Sequence, residues 1–258
     1  MLKIISIFST FVTFVLASVI VTPAVYAERS LLRSNETESS SNALTRNNPF
    51  TPNETTSPLQ MTGPFDHMNY PNVNRYIIDN HIKHSKIVKD PRIDTLPKLQ
   101  YKYGTYIGVI IHEVGQDHRT LQEWVDRMYA TYNTAFVHAF VDQNEIRLTA
   151  PAEYYVWGAG KQANPYFYQI EVVRTYQFTD FAKSVNNQAW LTAYMLKQKG
   201  LEPSLADDNE GVGTVISHDA VRKYWGGTTH VDPIEYYARW GYDMHQFFEL
   251  VQYHYNQM

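Results

Sequence analysis

Tyr106-Ile107-Gly108-Val109-Ile110-Ile111-His112 is an unbroken apolar run that ends on a histidine. Continuous apolar character over this length, without polar alternation, is the pattern of a strand buried on both faces. Such a strand lies inside a sheet that helices cover on either side, so the run predicts an α/β domain. His112 stands at its end, where a buried strand can deliver a side chain to a site.

The chain after His112 continues the pattern. Thr120-Leu121-Gln122-Glu123 has the form of a capping box, with threonine as N-cap and glutamate three residues later. Leu121, Trp124, Val125, Met128, Tyr129 and Tyr132 follow at helical spacing and predict a core-facing stripe. Residues 135–141 and 145–149 read as strands joined by a turn through Asp142-Gln143-Asn144. A loop with Trp157-Gly158-Ala159-Gly160 and Asn164-Pro165 leads to a third strand, 167–173. Glu171 is the anomaly of that strand, because a carboxylate inside an apolar run costs free energy unless it is paired or serves a site.

Residues 178–199 predict a long amphipathic helix with Phe181, Val185, Ala189, Thr192, Ala193 and Leu196 on one face and Gly200 at C′. A short strand at 214–216 precedes a helix reaching Trp225, capped by Ser217 or Asp219 and ended by Gly226-Gly227. Pro233 suits the first position of the next helix. Asp243 with Gln246 opens a last one that turns Phe247, Leu250 and Val251 inward. Strand, helix, hairpin, strand, helix, helix fits a single α/β domain with a mixed central sheet flanked by helices. About 190 ordered residues suit one core.

The N-terminal quarter reads differently. Residues 1–27 have the form of a secretory signal: Lys3, an apolar run from Ile4 to Val21, and a small-residue cleavage site at Val25-Tyr26-Ala27. After its cleavage no stable membrane insertion is expected. Residues 28–64 are rich in Ser, Thr, Asn and Pro, with few apolar residues to bury, and read as a disordered tether. The catalytic domain is therefore placed at 65–258. Between Val73 and Ile82 a short helix is expected, and His81 and His84 beside it read as surface histidines rather than ligands, since no third donor accompanies them at ligand spacing.

The 22 basic and 26 acidic residues give a net charge of −4, and loss of residues 1–27 removes only Lys3. No basic bias points to nucleic acid. The absence of cysteine excludes disulfides, thiolate metal ligands and a cysteine nucleophile. The sequence says nothing of oligomeric state.

Gly213 to Tyr237 carries the chemistry. His218 sits where a short apolar run meets a helix, and His230-Val231-Asp232-Pro233 follows. In an extended segment residues i and i+2 face one side, so His230 and Asp232 can share a site. Imidazole nitrogen and carboxylate oxygen are zinc donors, and a catalytic zinc keeps three protein ligands plus a water. His112, His218 and Asp232 are the candidate Zn²⁺ ligands, with Glu171 and His230 as acid/base groups around them. Such a constellation suits hydrolysis of an amide or ester.

Several stretches together resemble a known family. They are Gly108 to His112, Thr134 to Asp142, Trp157 to Gly160, Asn164 to Val173, Thr214 to Val221, and Gly226 to Pro233. In this order, over roughly Tyr70 to Tyr255, they are similar to the zinc-dependent N-acetylmuramoyl-L-alanine amidases of the peptidoglycan-recognition-protein-like superfamily. The amidase domains of Gram-positive autolysins are especially similar. The resemblance implies a PGRP/amidase-like fold and zinc on His112, His218 and Asp232. It implies Glu171 as general base and His230 as the residue that steadies the oxyanion. It implies peptidoglycan as partner, cut between N-acetylmuramic acid and L-alanine, and a secreted or cell-wall location in a Gram-positive bacterium. His138 and Trp157 are candidates for the substrate groove, with a hydrogen-bonded strand histidine and a core tryptophan as the alternative readings. Glu113-Val114-Gly115-Gln116 and Gln169-Ile170-Glu171 depart from the family's usual residues and bear on peptide preference. Two rival readings stand beside this one: a non-catalytic peptidoglycan-binding protein, and a zinc peptidase acting on stem peptides. A secreted structural protein with incidental histidines is a third, and it predicts no bound zinc.

Overall fold

The computed structural model describes residues 70–258. The expected signal, the tether and the boundary at residue 65 lie outside the described residues.

Strands β1 (Lys86–Lys89), β2 (Gly108–Glu113), β3 (Ala139–Val141), β4 (Glu145–Leu148), β5 (Phe167–Val172) and β6 (Val215–Ser217) form one sheet in the order β1-β4-β3-β5-β2-β6. Every neighbouring pair is parallel except the β3–β4 hairpin. The hairpin turn is built by Asp142, whose Oδ1 accepts from the backbone of Asn144 at 2.7 Å and Glu145 at 2.9 Å. All six residues of β2 are buried, as an unbroken apolar run between two strands requires.

The helices are α1 (Val73–Asp79), α2 (Leu121–Ala130), α3 (Phe178–Gln198), α4 (His218–Ala220), α5 (Ile234–Ala238) and α6 (Met244–Gln257). The predicted capping box is present on α2: Thr120 Oγ1 accepts from Glu123 N, and Glu123 Oε2 accepts from Thr120 N at 2.7 Å. Asp243 caps α6 by accepting from Gln246 N at 2.8 Å. Gly200, at φ +61, closes α3 in the left-handed conformation that glycine adopts without strain.

Alternation along the strands separates two packed layers. Val109, Ile111, Ile170 and Val172 point to α3 and α6, where Phe181, Val185, Ala189, Phe247 and Val251 complete the main core. Ile110, Phe167 and Ile216 face the other way, onto Ala220 and Val221. Phe140 and Val137 meet Leu121, Trp124 and Val125 of α2 on that same side. His112 and Glu171 follow the second set by period two, so they leave the main core and face the α2 side.

Four expectations are refined. Helix α1 stops at Asp79, where Asn80 Nδ2 donates back to Tyr76 O at 2.8 Å, and His81 and His84 lie beyond it, exposed. Helix α2 ends at Ala130, which leaves Tyr132 out of the core. The helix from Ser217 to Trp225 is one α turn that widens into π-type turns over Val221–Trp225. Pro233 is the N-cap of α5 rather than its first residue; it still needs no N–H partner there.

Candidate active site

Three parallel strands end side by side at one place. His112 and Glu171 are next to last on β2 and β5 and stand opposite each other in the register. His218 follows β6 directly. Ligand sites of open α/β sheets lie at the carboxyl ends of parallel strands, where side chains turn out of the ladder into a crevice. Asp232 arrives from the loop before α5, and its backbone oxygen accepts from Asp219 N at 3.1 Å, which ties that loop to α4.

His112 Nδ1 lies 2.9 Å from His218 Nδ1 and 3.3 Å from Asp232 Oδ2, and His218 Nδ1 lies 3.0 Å from Asp232 Oδ1. Two ring nitrogens and a carboxylate thus converge on one point, their donor atoms all within 4.8 Å of one another. A tetrahedral ion with bonds of 2.0–2.1 Å to such donors needs an edge of about 3.3 Å between them. His218 Nε2 pairs with Thr228 Oγ1 at 3.0 Å, and a hydroxyl there can accept an Nε2–H, the tautomer in which Nδ1 is free to donate its lone pair to a cation. Burial, and then the neighbouring His218, push His112 down to about 4, so its ring is neutral. Burial opposes ionisation of Asp232, but hydrogen bonds from His112, His218 and His230 hold its carboxyl well below the usual range. Imidazole nitrogens around an ionised carboxylate are the donor set a divalent zinc takes, and the residues fit it.

The other two predicted groups border this cluster. Glu171 Oε2 is buried without a hydrogen-bond partner among the described residues. Burial, then the charges of Asp232 and Glu113, raise its carboxyl well above the ordinary value. His230 stacks on His218, with ring centroids 4.9 Å apart, and approaches Asp232 Oδ1 at 3.5 Å. That hydrogen bond raises its pKa, so its exposed ring is available as a donor.

All five residues line one pocket of about 430 Å³, together with Glu113 to Gln116, Trp124, Arg127 and Gly158. Gly158 is required by space: a Cβ there would meet Phe136 O at 2.8 Å. His138 and Trp157 are not among its lining residues. His138 is fully buried between neighbours that use both its nitrogens: Nδ1 accepts from Gln169 N at 3.0 Å, and Nε2 lies 2.9 Å from both Tyr154 O and Tyr101 Oη. Trp157 donates Nε1–H to Tyr132 O at 2.6 Å and leans on Phe136. Sequence reasoning missed Thr228, although a hydroxyl two residues before His230 was a visible signal. It also read Trp124 only as core, and it gave Glu113 no structural role.

The family model described as N-acetylmuramoyl-L-alanine amidase matches residues 103–235, a little over half of the chain. The chain belongs to the N-acetylmuramoyl-L-alanine amidase family. Protein Ami of Listeria monocytogenes is 44% identical over 191 residues, which are 73% of this chain and 21% of that protein. A bifunctional autolysin of Staphylococcus aureus is 39% identical over 181 residues, 69% of this chain and 14% of the autolysin. The amidase-family chain thus spans only a small part of these curated relatives. The crystal structure of the Staphylococcus aureus hydrolase AmiA in complex with its ligand superposes with a TM-score of 0.69 at 38% identity, covering 73% of this chain and 92% of that one. Among the described residues no helix is long and apolar enough to cross a membrane.

Proposed function

We propose that this chain is a zinc-dependent N-acetylmuramoyl-L-alanine amidase that cuts the amide between N-acetylmuramic acid and the L-alanine of the peptidoglycan stem peptide. The observation that carries the reading is the convergence of His112, His218 and Asp232 in a pocket that also holds a buried, unpartnered Glu171 oxygen. Family membership supplies the bond.

His112 Nδ1, His218 Nδ1 and Asp232 would hold the zinc. When bound, zinc supplies Lewis acidity toward the scissile carbonyl and toward a nucleophilic water. Glu171 takes the proton of that water. Its burial beside two other carboxylates makes it a stronger base than an exposed glutamate, and a pKa moved toward the working pH suits it for accepting and then returning a proton. The returned proton goes to the leaving amine of L-alanine. His230, stacked on His218 and bonded to Asp232, donates toward the oxygen on which negative charge develops.

The export and tether readings of residues 1–27 and 28–64 complete the proposal. With the similarity to proteins of Listeria monocytogenes and Staphylococcus aureus, they support a location outside the membrane, at the cell wall of a Gram-positive bacterium. Digestion of purified muropeptides with and without a chelator, read by mass spectrometry, tests it. The expected products are glycan free of peptide and a peptide with N-terminal L-alanine, formed only without chelator. Muramic acid that still carries L-alanine would identify a peptidase instead. Muropeptide binding without any cleavage would identify a binding protein.

A further inference from the structure

One wall of the pocket is the segment Glu113-Val114-Gly115-Gln116, which leaves β2 directly after His112. Gly115 turns it at φ +72, and its N–H donates to Glu113 Oε1. The Glu113 side chain is only 2% exposed, a buried carboxylate in a pocket that already holds Glu171 and Asp232. Three carboxylates in one site repel, and a cation beside the wall carboxylate offsets that repulsion.

Arg174 is that cation. It stands three residues after Glu171, and its Nη2 donates to Glu113 Oε2 at 2.8 Å. Its Nη1 donates to Asp117 Oδ2 at 3.1 Å, further along the same loop. Arg239 Nη1 grips the other oxygen of Asp117 at 3.2 Å. Two more contacts join the same segments: His118 stacks on Tyr176 with centroids 5.0 Å apart, and His118 N–H donates to the Tyr176 hydroxyl. Arg174 itself is held from behind, its guanidinium 5.8 Å over the Tyr236 ring, whose hydroxyl accepts from Thr175 N at 3.0 Å. The loop also reaches the metal cluster, since Glu113 N–H donates to Asp232 Oδ2 at 3.2 Å.

We propose that Arg174 is a positioning residue for substrate affinity: bridging Glu113 and Asp117, it holds loop 113–117 as a fixed wall of the pocket. The affinity claim rests on the amidase reading above; the holding of the loop does not. A fork-shaped guanidinium serves two carboxylates at once, which an ammonium does not reproduce. A wall that contacts the substrate before and during reaction contributes uniform binding, so its loss raises KM and leaves kcat.

The test compares the full wild-type chain with Arg174→Gln, Arg174→Lys and Asp117→Asn. Kinetics on a soluble muropeptide, zinc content and amide hydrogen exchange are measured on the same preparations. Arg174→Gln is expected to raise KM about tenfold with kcat within about threefold, leave zinc content unchanged, and speed exchange over residues 114–118. Arg174→Lys recovers part of both effects. Asp117→Asn shifts both the same way by less, and it decides the matter if Arg174→Gln does not fold. Wild-type KM and exchange in the decisive variant would overturn the proposal, as would a loss of kcat at constant KM. A wild-type chain without turnover would sink the amidase reading alone, and the exchange comparison would still decide on the loop.

Discussion

His112 and Glu171 face each other directly across the β2–β5 pair, one on each strand, both turned to the α2 side of the sheet. The sheet register therefore sets the distance between the imidazole proposed to hold the metal and a carboxylate whose buried Oε2 has no hydrogen-bond partner among the described residues.

From that separation of roles, Glu171→Ala is expected to keep its zinc and lose hydrolysis by roughly 10²–10⁴-fold, the range for removing a general base. Metal analysis of the purified variant beside its turnover number checks it. Loss of zinc along with activity would make Glu171 a ligand. His112→Ala and Asp232→Ala are expected to lose metal and activity together.

Thr228 offers a finer test of the metal geometry. Its hydroxyl pairs with His218 Nε2 at 3.0 Å, and outer partners of this kind fix the ring and its tautomer. Thr228→Val is expected to weaken zinc binding by about 10–100-fold, with kcat of the zinc-saturated protein changed less. Competition against a chelator of known affinity measures it. Unchanged zinc affinity would mean that packing alone holds His218.

Much of this arrangement was legible from local pattern. The apolar run before His112, the capping box at Thr120 and the i, i+2 spacing of His230 and Asp232 each need only neighbours in sequence. What was not legible depends on partners far along the chain. Asn186, Asn187 and Gln188 are polar and lie outside the predicted apolar face of α3, yet all three are fully buried. Their partners lie up to about a hundred residues away: Ser85, Asp142, His112 and Ile82. His138 in a strand could equally have lined a groove or joined the core, and only the placement of Tyr101, Tyr154 and Gln169 around it puts it in the core.

The buried histidines give a pH prediction away from the metal. Burial holds His138 at about 3 and His254 at about 4 in the folded protein, against an ordinary value near 6.5. Between those values the unfolded chain binds protons that the folded chain refuses, so stability falls as pH drops below about 6.5. Each such histidine steepens the fall by up to about 1.4 kcal/mol per pH unit, until pH reaches its folded value. His254→Gln retains a donor for Asn186 Oδ1, which His254 Nε2 meets at 2.8 Å. Urea unfolding from pH 7 to 5 should show a shallower slope for this variant than for wild type. Parallel slopes would mean that His254 titrates alike in both states.

Gln188 ties the back of the site together. Its Nε2 donates to the backbone oxygens of His112 at 2.9 Å and Ile170 at 3.0 Å, and its Oε1 accepts from Tyr237 Oη at 2.7 Å. One fully buried amide thus joins β2, β5 and the helix that follows Asp232. Tyr237→Phe leaves Oε1 unpaired, and Gln188→Leu leaves the Tyr237 hydroxyl unpaired. Each is expected to cost about 1–3 kcal/mol, the desolvation penalty of a stranded polar group. The double variant removes both members of that pair, so its loss should be clearly smaller than the sum of the two single losses. Denaturant unfolding of all four proteins gives the coupling. Additive losses would show that Gln188 and Tyr237 act separately, and that the link from the strands to α5 runs through apolar packing instead.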